Sequence, residues 1–212
     1  MKDGYRLRPR FLSGEETDRW RQQVGARRDV FQAVGGRGGL NLRYSVVDGH
    51  RSREYFPELV ELAQTRLREA AEETAGRPLV PIGDEKRALR IQLYGGRREG
   101  FRWHKDVSSY SALLTLENTS RGATEVLSPR LTRLLTPLYY LFYPLRQIFS
   151  VLPHRTLHSA PGDLLILHGS AVLHRARARE KSGERLVVVA AFEPAGSRPT
   201  PIRDWLARTF NY

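Results

Sequence analysis

The chain contains no cysteine among its 212 residues. That absence excludes a disulfide scaffold, a zinc ribbon and a cysteine nucleophile. Any metal site must draw on His, Asp or Glu, a donor set that suits Fe(II), Mn(II) or Zn(II) better than soft metals. Lysine is scarce as well, confined to Lys2, Lys86, Lys105 and Lys181, so the net charge of +12 rests on arginine. A GC-rich genome and a solvated surface account for such a bias. The sharper reading is an acidic partner: nucleic acid, an acidic carrier protein, an anionic lipid or a polyanionic substrate. The arginines are scattered rather than massed, which disfavours a dedicated nucleic-acid arm. No apolar h-region follows the N-terminus, MKDGYRLRPRFLSGEE, so a cytoplasmic location is the expectation. The most apolar stretch, Ser128 to Pro153, carries Arg133 and Arg146 and is split by Pro137 and Pro144. It is a poor transmembrane span.

What is present is an ordinary globular balance, 40% hydrophobic and 27% charged, over a length that suits one domain, 1–212, with a substantial core. Ser13 followed by Glu15 and Glu16 predicts a capped helix within Phe11 to Val24. Gly35, Gly36, Gly38 and Gly39 mark a loop that could order over a ligand. Leu59, Leu62, Ala63, Leu67, Ala70 and Ala71 recur at helical spacing, predicting a helix from Pro57 to Ala75 that Gly76 terminates. After Pro81 the runs are short and strand-like: Arg87 to Tyr94, Ser109 to Glu117, Gly122 to Leu127, Asp163 to Leu167 and Leu186 to Phe192. Helices first and strands afterwards indicate an α+β fold. Its parts are a helical N-terminal layer over about 11–76 packed on one sheet, and a double-stranded β-helix (jelly-roll, cupin-like) core over about 87–193. An insertion over about 128–158 interrupts the core strands. It is read as helical and packed on the core. Alternatives are a lid over the substrate pocket, or a patch that docks on a membrane or apolar partner.

Six histidines are present, His50, His104, His154, His158, His168 and His174. In Arg102-Trp103-His104-Lys105-Asp106, the i and i+2 side chains share a face on extended chain, so His104 and Asp106 can reach one ion together. In the run from Pro161 to Arg175, a turn leads into an apolar strand, a small-residue bend and His174. His168, directly after that strand, is its rival. Two His and one Asp form a facial set that leaves three adjacent positions on an octahedral ion. Those positions suit a bidentate ligand plus dioxygen. Arg185 can fork onto a far carboxylate of such a ligand, and Arg175 is the competing anion binder. His50, His154 and His158 are read as loop or insertion residues.

The ordered set Tyr94-Gly95, His104-x-Asp106, Pro161-Gly162-Asp163, His174-Arg175 and Gly183-Glu184-Arg185 resembles the Fe(II)/2-oxoglutarate-dependent oxygenase superfamily, in particular its prolyl-hydroxylase-like branch. The resemblance covers roughly residues 87 to 193. It implies that His104, Asp106 and His174 bind Fe(II), that Arg185 binds the distal carboxylate of the co-substrate 2-oxoglutarate, and that Tyr94 hydrogen-bonds it. It selects His174 over His168 by its His-Arg context. The interval from His174 to Arg185 is about one residue longer than the family pattern, which implies a small bulge.

The resemblance further implies use of O2, oxidative decarboxylation to succinate and CO2, and attack on an unactivated C–H, with hydroxylation the commonest outcome. Asp106 argues against halogenation, because halogenating relatives carry a small residue there. The expected substrate is a small molecule, an amino acid or a natural-product intermediate in a biosynthetic route, hydrophobic or carrier-tethered. Leu138, Tyr139, Tyr140, Phe142 and Tyr143 would suit an apolar substrate, and Arg90, Gln92, Arg102 and Trp103 a carboxylate. The alternatives are a nucleic-acid- or protein-modifying oxygenase of the same fold, or a non-catalytic jelly-roll binding protein.

Overall fold

The computed structural model describes residues 1–35, 43–95, 99–141, 149–177, 180 and 182–197. The expectations that fall on Gly36, Gly38, Gly39, Phe142 and Tyr143 lie outside these residues.

The last apolar run shows how the layers are built. Strand β12 (Arg185–Pro194) is buried at every position from Arg185 to Phe192, so both of its faces are covered. On one face, Leu186, Val188, Ala190 and Phe192 join a core with Trp20, Val24, Leu59, Leu67 and Ala71 from the N-terminal helices. On the other face, Val189 and Ala191 line a cavity. A continuous apolar run is what such two-sided burial demands, because neither face can be polar.

Ten antiparallel strands form one path. With β1 (Tyr5–Arg8), β3 (Arg43–Val47), β5 (Leu89–Tyr94), β6 (Gly100–His104), β7 (Tyr110–Asn118), β8 (Ala123–Val126), β9 (Arg155–His158), β10 (Leu164–Leu167) and β11 (His174–Arg177), the order is β1-β10-β7-β12-β5-β3-β6-β11-β8-β9. Short β2 (Gln32–Gly35) pairs with β3, and β4 (Leu79–Pro81) pairs with β12. The path does not close into a ring. Instead β3 joins two halves, and residues from both halves, Gln92 and Val189 from one and Phe101, Thr124 and His174 from the other, line the same cavity. This is the jelly-roll arrangement that the strand runs predict. The strands before residue 87, the strand that carries His104, and β9 and β11 are additions to that prediction. They are too short or too polar to stand out by alternation alone.

The N-terminal layer follows its local signals. Helix α1 (Gly14–Gly25) starts at Ser13, whose hydroxyl accepts from Glu16 N at 3.1 Å while Glu16 accepts from Ser13 N at 3.0 Å. This reciprocal cap satisfies two otherwise unpaired donors. Helix α2 (Gly49–Tyr55) places His50 at the surface, 3.5 Å from Glu85. The predicted 57–75 helix is present as α3 (Pro57–Leu62), a π-helical segment (Ala63–Leu67) and α4 (Arg68–Ala75). Leu62 and Leu67, five residues apart across the π-helical segment, are both buried. A short helix α5 (Glu85–Ala88) precedes β5.

The insertion is shorter than expected, because Arg155 to His158 belong to the sheet as β9. Its helix α6 (Pro129–Leu141) contributes Tyr139 to a second cluster with Trp103, Leu127, Phe149 and Leu173. No described residue of 128–158 lines the cavity. Among the described residues, no helix is long and apolar enough to cross a membrane.

Leu114 on β7 is fully buried between the helices and the sheet. Leu114→Ala should therefore lower unfolding free energy by about 2–5 kcal/mol, the usual range for a buried leucine whose site cannot collapse. Urea denaturation followed by circular dichroism checks this.

Candidate functional site

Strand pairing brings two distant histidines together. His174 at the start of β11 lies directly opposite His104 at the end of β6. Between this pair and the next, Ala176 opposite Phe101, β11 advances two residues and β6 advances three. The extra residue is a β-bulge, which re-aims side chains locally. It lets Phe101 and His104, of opposite parity, both face the cavity. Their rings lie 4.2 Å apart.

Asp106, just past β6, completes the group. Its Oδ1 is 3.3 Å from His104 Nε2 and 3.5 Å from His174 Nε2. The three ligand atoms lie within 4.8 Å of one another. Donors about 2.1 Å from one octahedral ion sit about 3 Å apart when adjacent, so the set fits a facial site after small adjustments. Both rings are oriented for this. His104 Nδ1 faces Arg102 O at 2.7 Å and His174 Nδ1 faces Val172 O at 3.2 Å. An Nδ1–H donated to a carbonyl leaves Nε2 as the free donor atom for a metal.

The carboxylate is held from two sides. Asp106 Oδ2 accepts from Ser111 Oγ at 2.6 Å, and Asp106 N donates to Gly169 O at 3.0 Å. A Cβ on Gly169 would fall 2.3 Å from Asp106 Oδ2, so only glycine fits there. Ser111 and Gly169 belong to no motif of the sequence. The adjacent small residues Gly169-Ser170 were the available signal. His168, the rival histidine, stacks on Tyr110 at 4.8 Å and lies outside the group.

Burial shapes the titration of these groups. Burial first, and then the neighbouring His174, push His104 down to about 4, so it is neutral near pH 7. Burial also opposes protonation of His174, but the Asp106 carboxylate outweighs it and raises the imidazole above its ordinary value. Asp106 is held well below the carboxylate range, because the two histidines overcome the cost of burying its charge.

The cavity floor carries the other residues. Tyr94 and Thr124 line it, and Arg185 lies behind them, 2% exposed. Arg185 donates to Thr124 Oγ1 at 3.0 Å and to Ala123 O at 3.2 Å, while its Nε has no partner. No described carboxylate pairs with it. Gly122 makes room, since a Cβ there would fall 2.7 Å from Arg185 Cδ. The Tyr94 hydroxyl donates to Gln92 at 2.7 Å. Arg90 and Gln92, four and two residues before Tyr94 in the strand, line the cavity beside Val189, Leu113 and Arg87.

Three expected site residues are placed elsewhere. Trp103 is fully buried on the outer face of the sheet against Tyr139 and Phe149, covered by the insertion. Arg102 also stays off the cavity lining; its carbonyl orients His104. Arg175, the alternative anion binder, points to that same outer face because it neighbours inward-facing His174, and it pairs with Glu125 at 2.5 Å. His154 lies there too, 3.6 Å from Glu125, and His158 is exposed. Asp163 is structural, accepting from Arg10 N and Ala160 N.

Two outcomes test this geometry. Gly169→Ala should displace Asp106 and lower divalent-metal affinity by about 10–100-fold, the range for disturbing a ligand's support, as read by Co(II) titration. Metal binding at Nε2 also requires that nitrogen of His174 to be unprotonated. Since its value is raised, affinity should begin to fall at a higher pH than an ordinary imidazole would dictate, and calorimetry in buffers of different ionisation enthalpy should show proton release.

No protein-family model matches the sequence, and no curated protein does either. Solved structures do match. The non-haem α-ketoglutarate (2-oxoglutarate)-dependent carbocyclase SnoK from nogalamycin biosynthesis is 20% identical with a TM-score of 0.71, covering 98% of this chain and 87% of its own. The corresponding epimerase SnoN, also 20% identical, gives 0.67 over 95% and 83%. HygX from Streptomyces hygroscopicus, bound to nickel and 2-oxoglutarate, is 15% identical and gives 0.68 over 93% and 85%. At these identities the likeness is one of fold: the chain has the jelly-roll fold of non-haem Fe/2-oxoglutarate-dependent enzymes along nearly its whole length.

Proposed function

We propose that this protein is a non-haem Fe(II)- and 2-oxoglutarate-dependent oxygenase that hydroxylates an unactivated C–H of a small molecule. The observation that carries the reading is a pair of features, one lining the cavity and the other bonded to Thr124 of its lining. One is the facial His104–Asp106–His174 set. The other is the buried Arg185 guanidinium, which has no described acidic partner. A buried cation without a counter-charge is costly, and an anionic ligand relieves that cost. A dicarboxylic co-substrate held by the metal at one end and by Arg185 at the other would satisfy both.

When bound, Fe(II), 2-oxoglutarate and O2 supply the oxidising power, with succinate and CO2 as co-products. The chain's own residues do the rest. Arg185, with Thr124, holds the distal carboxylate as a charge-assisted hydrogen-bond donor. Leu113, Val189 and Ala191 wall the cavity with apolar surface that limits water. Arg90 and Gln92 offer the substrate a cation and an amide.

The substrate class is read from the fold relatives: SnoN is solved with Fe3+, α-ketoglutarate and nogalamycin RO, and HygX with hygromycin B. A natural-product intermediate fits that company. SnoN and SnoK are an epimerase and a carbocyclase, so the fate of the substrate is the finer question, and 18O incorporation from O2 into product identifies hydroxylation.

Anaerobic addition of Fe(II) and 2-oxoglutarate should give a weak visible charge-transfer band, lost in His174→Ala. Arg185→Met should keep metal affinity and weaken 2-oxoglutarate binding by about 10–100-fold, the worth of charge-assisted hydrogen bonds. A wild-type protein that binds metal but shows no band would overturn the reading.

A further inference from the structure

The insertion stays off the described cavity lining, yet it touches the chain on both sides of His174. Just before that ligand, the N–H of fully buried Leu173 donates to Thr132 Oγ1 of α6 at 3.0 Å. Just after it, Arg175 Nη1 donates to Ser150 Oγ at 2.6 Å. Ser150 also receives Trp103 Nε1 at 3.2 Å, and Trp103 immediately precedes the other histidine ligand. The Arg175 guanidinium lies over the Trp103 ring at 4.8 Å, and its Nε bonds Glu125 at 2.5 Å. Thr132 is 1% exposed, Glu125 3% and Arg175 8%. Polar contacts made by groups that deeply buried are stiff, because Thr132, Glu125 and Arg175 cannot fall back on water; Ser150 is half-buried.

The direction of the histidine rings depends on this backbone. Each ligand ring bonds the carbonyl two residues earlier in its own segment, Arg102 for His104 and Val172 for His174. Fixing Leu173, Arg175 and Trp103 therefore fixes the carbonyls that aim the two Nε2 atoms.

We infer that the insertion is a brace for the metal site: Thr132 and Ser150, together with the buried Arg175–Glu125 pair, position His174 and His104 from the outer face of the sheet. These are positioning residues, since none reaches the ion. The inference rests on the metal reading of the triad. It assigns the insertion a role distinct from a lid, because its effect passes through the strand that carries the ligand.

Three variants test the brace: Thr132→Val, Ser150→Ala, and the double change Glu125→Leu with Arg175→Met. The double change is chosen because removing one partner of a buried pair strands the other charge, whereas replacing both with apolar residues is often tolerated. The readouts are Co(II) affinity, the Co(II) ligand-field spectrum, thermal midpoint and amide exchange in α6. Each variant that melts within a few degrees of wild type should bind Co(II) about tenfold or more weakly, as outer supports of metal ligands do. Its spectrum should shift and α6 should exchange faster. Well-folded variants with wild-type Co(II) affinity and spectrum would overturn the brace. Should wild type itself bind no divalent metal, the metal reading would fall instead, so the two failures are distinguishable.

Discussion

The pairing of His174 with His104 across two neighbouring strands is the constraint on which the site depends. The two residues are far apart in sequence, and only the antiparallel contact between β6 and β11 brings their Nε2 atoms to the same carboxylate oxygen. A one-residue slip would turn one of them to the opposite face. The bulge in β6 makes the register unforgiving, since it matches three residues to two and leaves both Phe101 and His104 facing in. Ser111, Gly169 and the brace residues refine a geometry that this pairing creates.

Two arginines show how the same side chain is used on two faces of the sheet. Arg175 is buried against Glu125, and its charge is matched by the chain itself. Arg185 is buried against a hydroxyl and a carbonyl, with no described carboxylate beside it. Burial lowers its pKa, and no carboxylate among the described residues restores it. One pair is a structural fastening; the other cation has no acidic partner among the described residues. The contrast follows from strand parity, because a residue next to His174 faces outward while Arg185 stands at the foot of the inward row that continues through Val187 and Val189.

Much of this was legible in the sequence, for identifiable reasons. The Ser13 cap, the Leu59–Ala71 spacing and the apolar β12 are local signals, and local signals survive into the fold. The triad was readable because His-x-Asp and the His-Arg context sit in ordered surroundings. Arg102 leaves the inward row because of a bulge, which depends on the partner strand and which simple alternation cannot anticipate, whereas Trp103 faces outward as alternation from inward-facing His104 dictates. Arg175 became an outer-face residue for a reason that alternation does give, once His174 is taken as inward. The end of the insertion was drawn too late because β9 reads Arg-Thr-Leu-His, a polar edge strand with little apolar signal. Ser111 and Gly169 matter through a contact with Asp106 that no spacing rule encodes.

The insertion also has a topological property. It leaves the sheet after β8 and returns at β9, and these strands are partners, with Val126 opposite Arg155. The chain therefore departs and re-enters at one place, as a hairpin turn does. Because closure entropy rises only slowly with loop length, such a doorway admits segments of very different size while the strand path stays intact. A lineage could lengthen, trim or replace the segment there in small steps, which makes this seam a natural graft point for altering the metal site without rebuilding the roll.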